Sequence, residues 1–198
     1  MKKLLISGGA VLLAAVLLLG TGVLGRLRYP APHQDLVTRE SASLGLDPDL
    51  VSSLIYHESR WDPNARSSAG ARGLMQLTEG TYQWLRSLAG EEEADPQRLF
   101  DPAENVHYGC ALLHLLLEHY DGRVDTALAA YNAGMGNVGE WLQDPDLSED
   151  GATLKRIPFP ETERYVRAVL SGQEKYRVLY EGTGDPFGDF FRRMAAAF

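Results

Sequence analysis

Residues 47–59 read DPDLVSSLIYHES, a pattern typical of an amphipathic helix with a well-defined beginning. Asp47 is a favourable N-cap residue, and Pro48 would occupy the first helical position, where proline is favoured. Apolar side chains recur at the period of one helical face, at Leu50, Val51, Leu54 and Ile55. The next step along that face is Glu58, so an acid stands where the pattern predicts a core residue.

Glu58 is the candidate catalytic residue that this helix indicates. Burying an ionised carboxylate is costly, so such a group either finds partners or remains protonated with a raised pKa. A carboxylic acid that is neutral near neutral pH is the reagent that protonates a glycosidic oxygen. The spacing equally allows the helix to end one turn earlier and Glu58 to be solvated, and the helix alone does not choose between these interpretations.

The rest of the chain also has helical patterns, so we predict an all-α fold. Capping residues at Thr78, Asp101 and Asp125 predict where three of the helices begin, and Glu104 would complete a capping box with Asp101. Alternating polar and apolar runs bounded by hairpin turns are absent from the sequence, so little sheet is expected. The further predicted helices span residues 36–44, 79–88, 102–120, 126–133, 136–142 and 161–180.

The composition excludes several classes of protein. A chain of 198 residues with 44% hydrophobic and 23% charged residues suits one folded domain with an appendage. The net charge of -8 argues against a nucleic-acid partner, because that binding depends on neutralising phosphates with Lys and Arg. The lone Cys110 excludes an intramolecular disulfide, and we predict that it packs as a small apolar residue.

The histidines do not form a recognisable metal motif. His57 and Glu58 would begin an H-E-x-x-H zinc motif, but Trp61 stands where the second histidine is needed. His107 and His114 lie seven residues apart on one predicted helix and lack a third ligand. We therefore assign neither a metal nor another cofactor.

The amino terminus has the pattern of a membrane anchor. Lys2 and Lys3 precede residues 4–25, which contain no charged side chain. These 22 residues would cover roughly 33 Å as a helix, about the thickness of the hydrocarbon core of a bilayer. The run is longer than the apolar region of a cleavable signal peptide, which remains the alternative. We predict a single transmembrane signal anchor over 1–25 and a short stiff linker over 26–34.

Three further motifs combine glycine or aromatic residues with polar side chains. They are GARGLMQ at 70–76, AYNAG at 130–134 and ETERY at 161–165. Taken singly, each is explained by a turn, a helix end or a core aromatic residue. Their order along the chain carries more information than any one of them.

In that order, after the pair Glu58-Ser59, the motifs resemble the catalytic domain of soluble-type lytic transglycosylases, a lysozyme-like bacterial family. The resemblance covers residues 35–180 and therefore implies a lysozyme-like all-α domain over that range. The acidic segment 91–93 and the Phe-rich tail 181–198 depart from the family pattern. We assign no function to the tail.

The resemblance also implies a mechanism. Glu58 would protonate the β-1,4 bond between N-acetylmuramic acid and N-acetylglucosamine, then act as base while the muramoyl 6-hydroxyl attacks C1. The product is a 1,6-anhydro sugar, and the acetamido group of the substrate replaces a second carboxylate. Tyr165 would donate a hydrogen bond that orients Glu58. The implied substrate-binding residues are Ser59, Met75, Gln76, Tyr131, Asn132 and Glu161.

The predicted partners are peptidoglycan glycan strands and the cytoplasmic membrane. The catalytic domain would lie outside the cytoplasm on a single-pass anchor and act as a monomer. One alternative is a muramidase similar to goose-type lysozyme, which also has a catalytic glutamate on a helix but cleaves the glycosidic bond by hydrolysis. The other is a peptidoglycan-binding subunit that does not catalyse cleavage.

Overall fold

The computed structural model describes residues 22–180, which are mainly helical and contain only isolated β-bridges. Residues 22–28 are helical, and a 3₁₀ turn spans Pro96–Phe100. The helices after residue 28 are α1 (Gln34–Leu44), α2 (Pro48–Ser59), α3 (Glu79–Leu88), α4 (Pro102–His119), α5 (Val124–Ala133), α6 (Met135–Gln143) and α7 (Pro160–Tyr180). The all-α prediction is confirmed for this part of the chain.

Three of the four predicted helix caps are confirmed by hydrogen bonds. The Asp47 carboxylate accepts from the backbone N–H of Asp49 at 2.8 Å, and Thr78 accepts from that of Thr81 at 3.2 Å. Asp101 accepts from the backbone N–H groups of the second and third residues of α4. Each cap satisfies donors that the first turn of a helix leaves without partners.

Two details of the predicted caps are wrong. Asp125 lies inside α5, which begins at Val124 after Arg123 and has no side-chain cap. Glu104 does not reach back to complete a capping box, because its carboxylate instead accepts from Tyr82 and Arg98. Tertiary partners therefore replace the local hydrogen bond at Glu104, whereas the Asp125 carboxylate accepts from its neighbour Thr126.

The core confirms the apolar face predicted for α2. Leu50, Val51, Leu54 and Ile55 are at most 3% exposed. Cys110 of α4 is fully buried, and burial, followed by the nearby charge of Glu40, raises the pKa of its thiol to about 12. The predicted apolar packing of this cysteine is therefore confirmed.

We expect the Cys110 thiol to resist a maleimide in the folded protein and to react once the chain is unfolded in guanidinium chloride. Burial keeps the reagent away, and the raised pKa leaves little thiolate at neutral pH. Mass spectrometry of samples quenched at successive times measures the labelled fraction. Equal labelling rates in the folded and unfolded protein would contradict this packing.

Residues 165–173 of helix α7 run antiparallel to α2 and are hydrogen-bonded to it. Gln173 donates to the Asp47 carboxylate at 2.7 Å, and the Ser53 hydroxyl donates to the Val169 carbonyl at 2.7 Å. Gly172 permits this close approach, since a Cβ there would overlap the Ser53 hydroxyl. The amino-terminal half of α7 consequently faces the carboxyl end of α2.

The described residues form two compact units, 32–174 and the shorter 22–31 with 175–180. The first covers residues 35–174 of the predicted catalytic domain, 35–180, and the remaining six residues of that domain fall in the second unit. Within 22–180, every helix is too short or too polar to cross a bilayer. Most of the predicted anchor and all of the predicted tail lie outside the described residues, and the predicted linker, 26–34, is helical at its start.

Candidate active site

Glu58 and Tyr165 form the centre of the candidate site. The Tyr165 hydroxyl donates to Oε1 of Glu58 at 2.6 Å. Glu58 is half-buried in the last turn of α2, and burial of the carboxyl raises its pKa to about 7, although the hydrogen bond from Tyr165 lowers it. The helix thus continues past Glu58, and a large fraction of this carboxyl is protonated at neutral pH.

A second phenol, Tyr131, approaches the same carboxyl from α5. Its hydroxyl donates to the Met75 carbonyl at 2.8 Å. Burial, with the negative charge of Glu58 as the next cause, holds the pKa of both Tyr131 and Tyr165 well above the usual value for tyrosine. Both phenols therefore stay protonated and act as hydrogen-bond donors beside Glu58.

The loop at 72–76 presents Gln76 through an uncommon backbone geometry. Gln76 has φ +52°, which is rare for a residue with a side chain. Its amide nitrogen donates to the carbonyls of Gly73 at 2.8 Å and Ala65 at 3.2 Å. Among the described residues no group donates to its Oε1, so this oxygen is available to accept a hydrogen bond from a ligand.

Asn105 of α4 holds this loop in place. Its fully buried amide accepts from the Met75 N–H at 2.6 Å and donates to the carbonyls of Arg72 and Leu99, both at 2.9 Å. Gly73 lies so close that a Cβ would overlap the Asn105 amide, and its φ of +77° also favours glycine. Asn105 was not among the predicted site residues, and the signal for it in the sequence is an amide on the apolar face of a helix.

Two predicted substrate-binding residues are buried behind the loop. Ser59 is 8% exposed, and its hydroxyl lies 2.8 Å from the Leu74 carbonyl and 3.1 Å from that of Ile55, its possible acceptors. Met75 is fully buried against Gly109, where a Cβ would overlap its side chain. These contacts join the loop to α2 and α4. Direct contact of either side chain with a substrate stays a prediction.

The other predicted residues lie around a cavity of about 470 Å³ between the end of α5 and the beginning of α7. Asn132 and Glu161 are exposed at this cavity, and the Thr162 hydroxyl donates to the Asn132 side-chain oxygen at 2.8 Å. Asn132 directly follows Tyr131, and Glu161 precedes Tyr165 by one helical turn. Each of the two helices, α5 and α7, therefore carries one residue at the cavity and one tyrosine beside Glu58.

Among residues 22–180, no second carboxylate is hydrogen-bonded to Glu58, Tyr131 or Tyr165. Asp62, the nearest acid after Glu58 in the sequence, accepts from the Asn64 N–H at 2.9 Å and is exposed. Arg60 and Trp61 have φ of 55° and 65°, so the chain leaves the helical path immediately after α2. Within residues 22–180, His, Cys, Asp and Glu side chains do not group as metal ligands in sets of three or more.

Comparisons with known proteins point to one family. The family model for the transglycosylase SLT domain matches residues 35–152. The soluble lytic murein transglycosylase of Salmonella typhimurium is 32% identical over 152 residues, which are 76% of this chain and 24% of that protein. The membrane-bound lytic murein transglycosylase C of Edwardsiella ictaluri is 30% identical over 168 residues, covering 73% of this chain and 46% of that protein.

A solved structure has the same fold. The 70 kDa soluble lytic transglycosylase in complex with bulgecin A superposes with a TM-score of 0.71 at 28% identity, over 80% of this chain and 26% of that one. This chain therefore spans about a quarter of the length of the soluble relatives that it matches. The match supports the predicted fold class for the described helices.

Proposed function

The chain belongs to the transglycosylase SLT domain family, and on that premise we propose that it is a peptidoglycan lytic transglycosylase. It would cleave the β-1,4 bond between N-acetylmuramic acid and N-acetylglucosamine without water and leave 1,6-anhydro ends. The observation that carries the proposal is the half-buried Glu58 carboxyl, whose pKa is raised to about 7 beside the Tyr165 hydroxyl.

In the first step Glu58 acts as a general acid. Its proton passes to the glycosidic oxygen as the bond to C1 of the muramoyl residue breaks. The raised pKa supports this role, because the carboxyl still holds its proton near neutral pH and gives it up readily. Tyr165 fixes the carboxyl through Oε1, which leaves Oε2 to face the substrate.

In the second step the Glu58 carboxylate acts as a base. It removes the proton from the muramoyl 6-hydroxyl while that oxygen bonds to C1, so the proton lost in the first step is recovered. The substrate acetamido group stabilises the positive charge at C1 between the steps, as in substrate-assisted glycosidases. This route requires one carboxyl from the protein, which agrees with a centre built from Glu58 and two phenols.

The substrate contacts that we propose fall into two groups. Gln76 offers its side-chain oxygen, to which no described residue donates, to a sugar N–H or hydroxyl, and Tyr131 lines the cleft beside Glu58. Asn132 and Glu161 contact the substrate at the adjoining cavity. Ser59 and Met75 support these contacts indirectly, because they hold the loop 72–76 in place. One chain supplies all of these groups, so we propose that the protein acts as a monomer.

We propose further that residues 1–25 anchor the enzyme in the cytoplasmic membrane, with the catalytic domain outside the cytoplasm. The uncharged run 4–25 supports the anchor, and one relative is a membrane-bound lytic murein transglycosylase. Protease treatment of intact spheroplasts, followed by detection of the chain, tests this arrangement. Protection of the catalytic domain from the protease would contradict it.

Mass spectrometry of digested peptidoglycan tests the reaction itself. We expect anhydro-muropeptides, which are lighter by one water than the products of hydrolysis. Products with reducing ends alone would establish the muramidase alternative and overturn the proposal. Binding to peptidoglycan without cleavage would establish the non-catalytic alternative.

We expect the rate of cleavage to fall as pH rises through about 7, because deprotonation removes the acid needed for the first step. Above that pH the rate should decrease about tenfold per pH unit if Glu58 alone controls it. Initial rates of turbidity loss in a peptidoglycan suspension, measured in buffers of constant ionic strength, give the profile. A flat profile from acidic to alkaline pH would contradict the role of Glu58.

Tyr165→Phe provides a control for this profile. The lost hydrogen bond favours the ionised carboxylate, so its removal should raise the Glu58 pKa further and move the decline to higher pH. The maximal rate should also fall, because the carboxyl loses the group that orients it. A decline displaced to lower pH would show that another group controls the rate.

A further inference from the structure

Residues 22–31 and 175–180, here called the terminal unit, form a compact arrangement of their own. The Arg26 guanidinium donates twice to the Leu179 carbonyl, at 3.2 and 3.0 Å, near the carboxyl end of α7 where a positive charge is favoured. Gly25 lies against the Leu179 side chain. Further hydrogen bonds of 2.8 Å join Tyr176 to the Pro30 carbonyl and Tyr180 to the Tyr29 carbonyl.

The terminal unit exposes aliphatic side chains. Val23, Leu24, Leu27 and Val178 are 61%, 67%, 75% and 70% exposed. Single exposed aliphatic residues are common on protein surfaces, but here they are four of the sixteen residues of one small unit. Such a concentration indicates an apolar partner.

The charge of the terminal unit is opposite to that of the rest of the structure. It contains four basic residues, Arg26, Arg28, Lys175 and Arg177, and no acidic residue. Residues 32–174 contain 24 acidic and 11 basic residues. Exposed aliphatic groups beside basic groups are the combination by which proteins bind the surface of an anionic bilayer.

The position of the terminal unit in the chain identifies the partner. Residues 4–21 carry no charge, end directly before it and belong to the proposed anchor 1–25, whose last four residues, 22–25, begin the terminal unit. A helix that follows a membrane anchor at once begins at the lipid headgroups. We propose that the terminal unit lies in the interface of an anionic lipid bilayer and that Val178, 153 residues beyond the end of the anchor at residue 25, contacts the lipid. This inference rests on the proposed anchor and is independent of the proposed catalysis.

Site-directed spin labelling of the full-length chain tests this contact. Cys110→Ala removes the native thiol, and Leu27→Cys, Val178→Cys and Leu88→Cys each introduce one label position. Leu88 is the matched control, because it is an exposed leucine, at 59%, in the other unit. With the chain in vesicles containing phosphatidylglycerol, collisions of each label with oxygen and with a water-soluble nickel complex report its depth.

We expect the labels at 27 and 178 to collide preferentially with oxygen and the label at 88 with the nickel complex. The label at 178 decides the proposal, because residue 27 follows the anchor directly. Preferential nickel collision at 178, or exclusion of both reagents by protein, would overturn it. In vesicles of phosphatidylcholine, which has no net charge, the label at 178 should lie less deeply in the bilayer. Equal depth in both lipids would show that the basic residues do not contribute to membrane binding. Flotation of the protein with the vesicles tests the proposed anchor separately. Release of anhydro-muropeptides from peptidoglycan tests the proposed catalysis.

Discussion

Replacing Glu58 by glutamine is expected to reduce peptidoglycan cleavage by roughly two to four orders of magnitude, the usual contribution of a positioned general acid. Glutamine keeps the shape of the side chain and can still accept from Tyr165, but it cannot deliver a proton. The release of anhydro-muropeptides by purified protein, measured over a range of enzyme concentrations, gives the rate. Binding to insoluble peptidoglycan should persist, because the cleft is unchanged.

The same substitution is expected to stabilise the folded protein above neutral pH. The Glu58 pKa is raised on folding, so the folded state binds this proton more tightly, and the resulting stability is lost as pH rises from 4.5 through about 7. Glutamine avoids the cost of a buried charge, which is up to about 3 kcal/mol at pH 8 and negligible below pH 4. Thermal unfolding at both pH values measures this difference.

Glu163→Gln is the matched control for both measurements. Glu163 lies on α7 close to Tyr165 in sequence, and its carboxylate pairs with Arg167 at the surface. Its loss should change neither the rate nor the stability appreciably, because exposed ion pairs contribute little. Unchanged lytic activity of the Glu58 variant would remove that residue from the mechanism.

The sequence predicted the local features of the site well, because they depend on short-range rules. Asp47 and Pro48 begin α2, and the apolar period of that helix brings Glu58 to the core side. Whether Glu58 is buried depends on Tyr165, which is 107 residues away. Helical spacing contains no information about that contact, so the two interpretations of Glu58 could be separated only by the packing of α7 on α2.

The sequence was least informative where a side chain supports another segment. Ser59 and Met75 match motifs of the family, and the resemblance made them substrate-binding residues. In the structure the Ser59 hydroxyl is hydrogen-bonded to the Leu74 carbonyl, and the Met75 side chain packs against Gly109. A sequence motif indicates that a residue type is required at a position, but only the structure shows which group that residue contacts.

Replacing Asn105 by alanine is expected to destabilise the protein by several kcal/mol and to lower the cleavage rate. The Met75 N–H and the carbonyls of Arg72 and Leu99 would lose their buried partner, at about 1–3 kcal/mol for each unsatisfied group. The loop would then no longer hold Gln76, and a displacement of about 1 Å can reduce a rate about a hundredfold. Thermal unfolding and initial rates measured well below the melting temperature check the two effects.

The experiment with Asn105 separates loss of folding from loss of positioning through two companion variants. Asn105→Asp retains an acceptor for the Met75 N–H but sets a buried carboxyl oxygen against the Arg72 and Leu99 carbonyls, so at neutral pH it should destabilise the protein at least as much as alanine. Asn137→Ala removes a half-exposed amide that donates to a single carbonyl, and it should behave almost as the unaltered protein. The pH at which the rate declines should stay the same in all three variants, because Glu58 keeps its burial and its bond to Tyr165. A fully active, stable alanine variant would show that the loop is held by other contacts, and a displaced pH profile would show that Asn105 acts on Glu58 itself.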